Sequence, residues 1–169
     1  QTSNEGTNVS LQIQASDPDG DALAYTATGL PPGLSINSGT GLISGSLGYT
    51  AAGTYTPTVT VADGKGGTAS TSFTWTVTDV NRPPTVASPG NQTSNEGTNV
   101  SLQIQASDPD GDTLTYAATG LPPGLSINGT TGIITGSLSF SSAGMYSSTV
   151  TVTDTKSASA STTFTWTVN

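Results

Sequence analysis

Two antiparallel β-sandwiches in tandem are what this sequence encodes, and three features point to them. The chain of 169 residues repeats itself. Residues 1–21 recur unchanged at 92–112, ATGLPPGLSIN at 27–37 recurs at 118–128, and FTWTV at 73–77 recurs at 164–168, all at one offset of 91 residues. Apolar residues alternate with polar ones at period two, and no segment sustains a period of 3.6. Gly- and Pro-rich turns separate the alternating runs. A unit of about 80–90 residues can enclose one sandwich-sized core.

The strands follow in order through the first repeat. VSLQIQA (9–15) puts Val9, Leu11, Ile13 and Ala15 on one face, and ALAYTA (22–27) does the same for Leu23, Tyr25 and Ala27. LPPGL (30–34) makes an extended bend, because proline fixes φ and restricts its predecessor. GLISGSL (41–47) is a short strand. TYTPTVTV (54–61) aligns Tyr55, Val59 and Val61, although Pro57 removes a ladder donor and predicts a bulge or an edge there; the second repeat has Ser148. TASTSFTWTV (68–77) aligns Ala69, Phe73, Trp75 and Val77. Gly53-Thr54-Tyr55 and Gly144-Met145-Tyr146 stand where a tyrosine corner opens the penultimate strand of an Ig-like sandwich. The expected organisation is a sandwich over 1–78 without its first strand, a connector over 79–84, and a sandwich over 85–169.

Composition excludes several function classes. There is no Cys and no His, so thiol chemistry, disulfides, imidazole bases and the usual zinc ligands are absent. Three basic residues against eleven acidic ones give a net charge of −8, which disfavours nucleic acid and anionic membranes. No apolar run approaches the ~20 residues of a membrane-spanning helix. Ser and Thr are abundant, but no base stands ready to activate one. The expectation is a non-enzymatic piece of a larger exported polypeptide.

All eleven carboxylates fall in turns, loops or the connector. Glu5, Asp17, Asp19, Asp21 and Asp63 lie in the first repeat, Asp79 opens the connector, and Glu96, Asp108, Asp110, Asp112 and Asp154 lie in the second repeat. Clustered carboxylates repel one another unless something positive sits among them. A hard divalent cation with oxygen ligands answers that need, and Ca2+ suits loop oxygens. Asp17-Pro18-Asp19-Gly20-Asp21 opens like an EF-hand loop. That template then requires Gly at its sixth position and Glu at its twelfth, where Ala22 and Thr28 stand. Turn formation alone is the competing account, since Asp-Pro-Asp-Gly is a strong turn sequence.

The ordered pattern SDPDGDxLxYxATGLPPGLSI, TGxIxGSL, AGxY and VTVxD resembles bacterial "putative Ig" repeats and the related dystroglycan-type cadherin-like domains. The resemblance covers essentially all of both repeats. It implies a calcium site between modules, shared by a connector and the Asp-rich turn of the next domain. Carried over, Glu5 matches the acid at the far end of the first module, and Asp79 and Asn81 match the start of the connector. Asp108, Asp110 and Asp154 match the next module's turn, with Asp112 as an additional ligand. Asp17, Asp19, Asp21 and Asp63 form the equivalent half-site of the first module. Two departures reduce the site to one ion: the connector's second Asp is Arg82 and the following Asn is Pro83. Arg82 then replaces a lost cation by pairing with Glu5 or a neighbouring Asp.

The resulting expectation is an extracellular, calcium-binding spacer or adhesion module of a secreted or surface bacterial protein, with Ca2+ rigidifying the junction between neighbouring modules. The alternative is a carbohydrate-binding module, with polysaccharide or another surface protein as partner. That alternative needs exposed aromatics, and Trp75 and Trp166 read either as core or as a sugar-stacking face.

Overall fold

In the computed structural model, every residue from Gln1 to Asn169 is described, and the chain folds as two compact units, Gln1–Val80 and Asn81–Asn169. The first unit runs β1 (Thr2–Asn4), β2 (Asn8–Gln12), β3 (Ala24–Thr28), β4 (Leu34–Ile36), β5 (Leu42–Ser46), β6 (Gly53–Tyr55), β7 (Thr58–Ala62), β8 (Thr68–Ser72) and β9 (Trp75–Thr78). The second runs β10 (Thr85–Val86), β11 (Gln92–Ser94), β12 (Asn99–Gln103), β13 (Ala106–Ser107), β14 (Thr115–Thr119), β15 (Leu125–Ile127), β16 (Ile133–Ser137), β17 (Gly144–Thr153) and β18 (Ser159–Val168).

In the second unit a four-stranded sheet, β11-β18-β17-β14, pairs through its apolar face with a three-stranded sheet, β12-β16-β15. Ile104, Ile134, Val150, Val152, Phe164 and Trp166 fill the space between them, each less than 5 % exposed. Period-two alternation places every second residue inward. All strand pairs are antiparallel except β11 on β18, and likewise β1 on β9, which are parallel. The alternation pattern marks neither these short leading strands nor β4 and β15.

Both tyrosine corners form. Tyr55 donates its hydroxyl to the Ala51 carbonyl at 2.9 Å, and Tyr146 to the Ser142 carbonyl at 2.8 Å. Each phenol thus pins the start of its strand four residues back.

Pro57 makes no bulge: Tyr55 pairs with Trp75 and Thr58 with Ser72, two residues opposite two. It sits buried in the break between β6, the end strand of the sheet β1-β9-β6, and β7, where the other unit has one continuous strand, β17. At the matching position Ser148 pairs with Phe164. Phe73 still donates to the Pro57 carbonyl at 3.1 Å, but Pro57 has no N–H to return. The facing strand breaks in step, into β8 and β9.

The two tryptophans are core. Trp75 and Trp166 are each 1 % exposed, and their indole N–H groups donate to Ser3 and Ser94 hydroxyls at 3.1 Å. Neither presents a face to solvent, so neither can stack on a sugar.

Candidate metal centre

Both Asp-rich turns fold identically, because the first aspartate of each caps its own loop. Asp17 Oδ1 accepts the N–H groups of Asp19 (2.8 Å) and Asp21 (3.2 Å), and Asp108 Oδ1 accepts those of Asp110 (2.8 Å) and Asp112 (3.1 Å). This is the side-chain-to-backbone bonding that favours Asp in turns. The acid that closes the penultimate strand works in the same way. Asp63 Oδ1 accepts from Lys65 and Gly67, and Asp154 Oδ1 from Lys156 and Ala158. Turn chemistry therefore accounts for one oxygen of each of these four aspartates.

The second unit adds its connector. Asn81 donates its side-chain amide to Asp154 Oδ2 at 2.9 Å. Arg82 closes on Asp110 with three donors. Its backbone N–H reaches Oδ2 at 2.6 Å, while Nε and Nη2 reach Oδ1 at 2.7 and 2.6 Å. Nη2 also meets the Pro109 carbonyl at 2.6 Å. Of the two pairings expected for Arg82, the one with a neighbouring Asp is present. A planar guanidinium fits a carboxylate in this way, and a charge-assisted contact is stronger than a neutral one.

The electrostatics follow from these donors. The Arg82 backbone N–H, then its side chain, holds the Asp110 carboxyl below the usual range against the opposing effect of burial. The Asn81 amide does the same for Asp154, helped by the loop N–H groups. Asp154 is 6 % exposed.

Two oxygens in this cluster are buried without any partner: Asn81 Oδ1 and Asp108 Oδ2. The Asn81 orientation is fixed, because turning the amide over would aim its oxygen at the Asp154 carboxylate. A buried acceptor left unpaired costs free energy of about 1–3 kcal/mol, so a cation that met both atoms would be stabilising. The donor set, one amide and one carboxylate oxygen, suits a hard cation.

The remaining expected ligands have other surroundings. Asp112 Oδ1 accepts the Thr155 hydroxyl at 2.8 Å, where the first repeat has Gly64 in place of Thr155 and an exposed 3.8 Å ion pair between Asp21 and Lys65. Asp19 and Asp79 are exposed. Glu5 is buried, with Oε1 accepting the Ala52 N–H at 2.6 Å and Oε2 unpartnered. Within neither unit do three carboxylates gather closely enough to hold a metal ion by themselves. The sequence reading missed Thr155 and the Pro109 carbonyl. The only available signal was that TKSAS after Asp154 replaces GKGGT after Asp63.

Comparison with known proteins finds related sequences and related folds. The profile described as "Putative Ig domain" matches residues 1–78 and again 83–169. The "Serine-rich adhesin for platelets" of Staphylococcus aureus strain MRSA252 is 35% identical over 127 residues, which is 75% of this chain and 9% of the relative; in strain USA300 the same match covers 6% of the relative. The chain thus spans under a tenth of the curated relatives it matches. Among solved structures, human CDH23 EC21-23 aligns with a TM-score of 0.65 and 20% identity, over 100% of this chain and 67% of that one. Drosophila N-cadherin EC1-4 aligns at 0.63 and 19%, over 99% and 47%. At such identity the likeness is one of fold.

Proposed function

Since the chain belongs to the "Putative Ig domain" family over both of its units, we propose that it is a non-catalytic extracellular spacer and adhesion segment of a larger secreted or surface protein, and that one calcium ion seats at the Asp-rich end of the second unit. The observation that carries the calcium reading is the pair of buried, unpartnered oxygens, Asn81 Oδ1 and Asp108 Oδ2. Asn81 belongs to the connector, and Asp108 to the turn it approaches. An ion meeting both would fasten the connector to the second unit and shorten the free hinge. Arg82 supplies one positive charge to the same cluster through Asp110, which supports a single ion rather than several. The adhesion reading is supported by the similarity to the staphylococcal adhesin.

Calcium titration of metal-stripped protein by calorimetry tests the site. One ion should bind, with a dissociation constant of roughly 10⁻⁴–10⁻³ M, as extracellular modules commonly show. Asp108→Asn should abolish the heat while leaving the turn intact, because the Asn side-chain oxygen still caps the loop. No heat, and no movement of the Asn81 and Asp108 resonances at 10 mM calcium, would sink the site and leave Arg82 as the cluster's cation.

A further inference from the structure

The sequence holds one Asn-Gly pair, Asn128-Gly129, in the loop between β15 and β16. The main chain of this loop is well tied. The Asn128 N–H donates to the Ile133 carbonyl at 2.8 Å, the Gly132 N–H to the Asn128 carbonyl at 2.9 Å, and the Tyr116 N–H to the Gly129 carbonyl at 2.9 Å. Asn128 Oδ1 accepts the N–H groups of Thr130 and Thr131 at 2.9 and 3.0 Å. Two groups are left over. Asn128 Nδ2 and the Gly129 N–H make no hydrogen bond within the chain, and both residues are exposed.

These atoms are set for imide formation. The Gly129 nitrogen gives up its proton to water and attacks Asn128 Cγ. Negative charge develops on Oδ1, where two N–H donors already stand at the distances that stabilise an oxyanion. The Cγ–Nδ2 bond breaks, and Nδ2 takes up a proton and leaves as ammonia into water. Water then opens the five-membered imide. Opening at Cγ gives aspartate, and opening at the Asn128 main-chain carbonyl carbon gives isoaspartate. One water is consumed and one ammonia released.

The first repeat supplies a matched control. Asn37 Oδ1 accepts the N–H groups of Gly39 and Thr40, both at 3.0 Å, and the Tyr25 N–H donates to the Ser38 carbonyl at 2.8 Å. The cap is the same, but the residue after the asparagine is Ser38. A Cβ there crowds the closing ring, whereas glycine reaches the required backbone angles freely. The fold itself does not call for glycine at 129. Its φ is not positive, and a Cβ would meet only the Tyr116 carbonyl oxygen, at 3.5 Å.

We propose that Asn128-Gly129 is a self-modification site, at which the folded loop converts Asn128 to aspartate and isoaspartate without an enzyme, so that the second unit ages ahead of the first. The reaction is independent of the calcium site. The aspartate product keeps the oxygen that caps the loop and adds a negative charge. The isoaspartate product carries the main chain through Cβ and Cγ, lengthens the loop by a methylene group, and withdraws the oxygen that holds Thr130 and Thr131.

Peptide mapping by mass spectrometry, on the intact chain aged in warm neutral buffer, reads the mass gained as amide becomes acid. Asn128 should convert about fivefold faster than Asn37 in the same molecules, or more, because of the glycine that follows it. Gly129→Ser should bring Asn128 down to the Asn37 rate. The folded chain should convert Asn128 at least as fast as the chain unfolded in guanidinium chloride, because the two N–H donors are in place before the attack. In the isoaspartate form, hydrogen exchange at the Tyr116 and Gly132 amides should quicken by about tenfold, while the Tyr25 and Gly41 amides stay protected. Equal rates at Asn128 and Asn37 overturn the proposal. So does slower conversion in the folded chain than in the unfolded one, because the two N–H groups then lock the side chain instead of activating it.

Discussion

At Gly136 the backbone has φ +150°, and a Cβ would overlap the carbonyl oxygen of Gly124, in the turn that leads into the paired strand; Gly45 against Gly33 repeats the arrangement. Both conditions exclude a side chain, so Gly136→Ala should cost the second unit about 3 kcal/mol in denaturant unfolding, and Gly45→Ala the first unit a similar amount. A second residue-scale consequence concerns acid. Asp110 and Asp154 are held below the ordinary carboxylate value of about 3.9. A depressed folded value means that their contribution is present above pH ~3.9 and is lost as pH falls from there through the folded values. The melting temperature of the second unit should therefore drop below pH ~4, and Asp154→Asn should flatten that drop. A transition that stays level from pH 5 to pH 2 would contradict the assignment. The turn role of Asp17 and Asp108 was legible in Asp-Pro-Asp-Gly, since it depends on neighbours two and four residues away.

Elements respond to a single residue through the ladder. Pro57→Ser gives the sheet back one N–H opposite Phe73 and should join β6 to β7 as β17 is joined. The bond gained is worth about 0.5–1.5 kcal/mol. Losing proline restores unfolded-chain entropy of about 0.4–1 kcal/mol. The two nearly cancel, so global stability should change by under about 1 kcal/mol, while amide exchange around Phe73 and Thr74 slows. Removing the connector's anchor acts differently. Arg82→Ala frees Oδ1 of Asp110, while the backbone N–H still holds Oδ2, and should lower the apo melting temperature of the second unit. It should also tighten calcium roughly tenfold, because affinity follows the number of charged ligands. If calcium binding weakens instead, Arg82 belongs to the site rather than competing with it.

For the whole molecule the calcium reading predicts a local effect. At a concentration about ten times the dissociation constant, binding to the folded state alone stabilises by about 1.4 kcal/mol. That gain should appear in the unfolding of Asn81–Asn169 and leave the opposite ends of the sandwich unchanged. X-ray scattering should show a narrower distribution of maximum dimension with calcium than with EDTA, each unit remaining folded in both. Superimposable profiles would remove the stiffening role while leaving the site itself to calorimetry.

Sequence by itself determined what depends on near neighbours and on repetition. Strict alternation specified sandwich strands, Tyr55 and Tyr146 marked their corners, and Asp-Pro-Asp-Gly specified the turns. Period and local hydrogen bonding act within a few residues, so one strand of text carries them. The tertiary structure alone decided that Asp17–Asp21 and Asp108–Asp112, identical in sequence, differ in surroundings. Asp110 meets Arg82, 28 residues away, and Asp154 meets Asn81, 73 residues away. It also decided that Trp75 and Trp166 are core. Each of these depends on which distant segment packs against a given face, and identical local sequences carry no information about that.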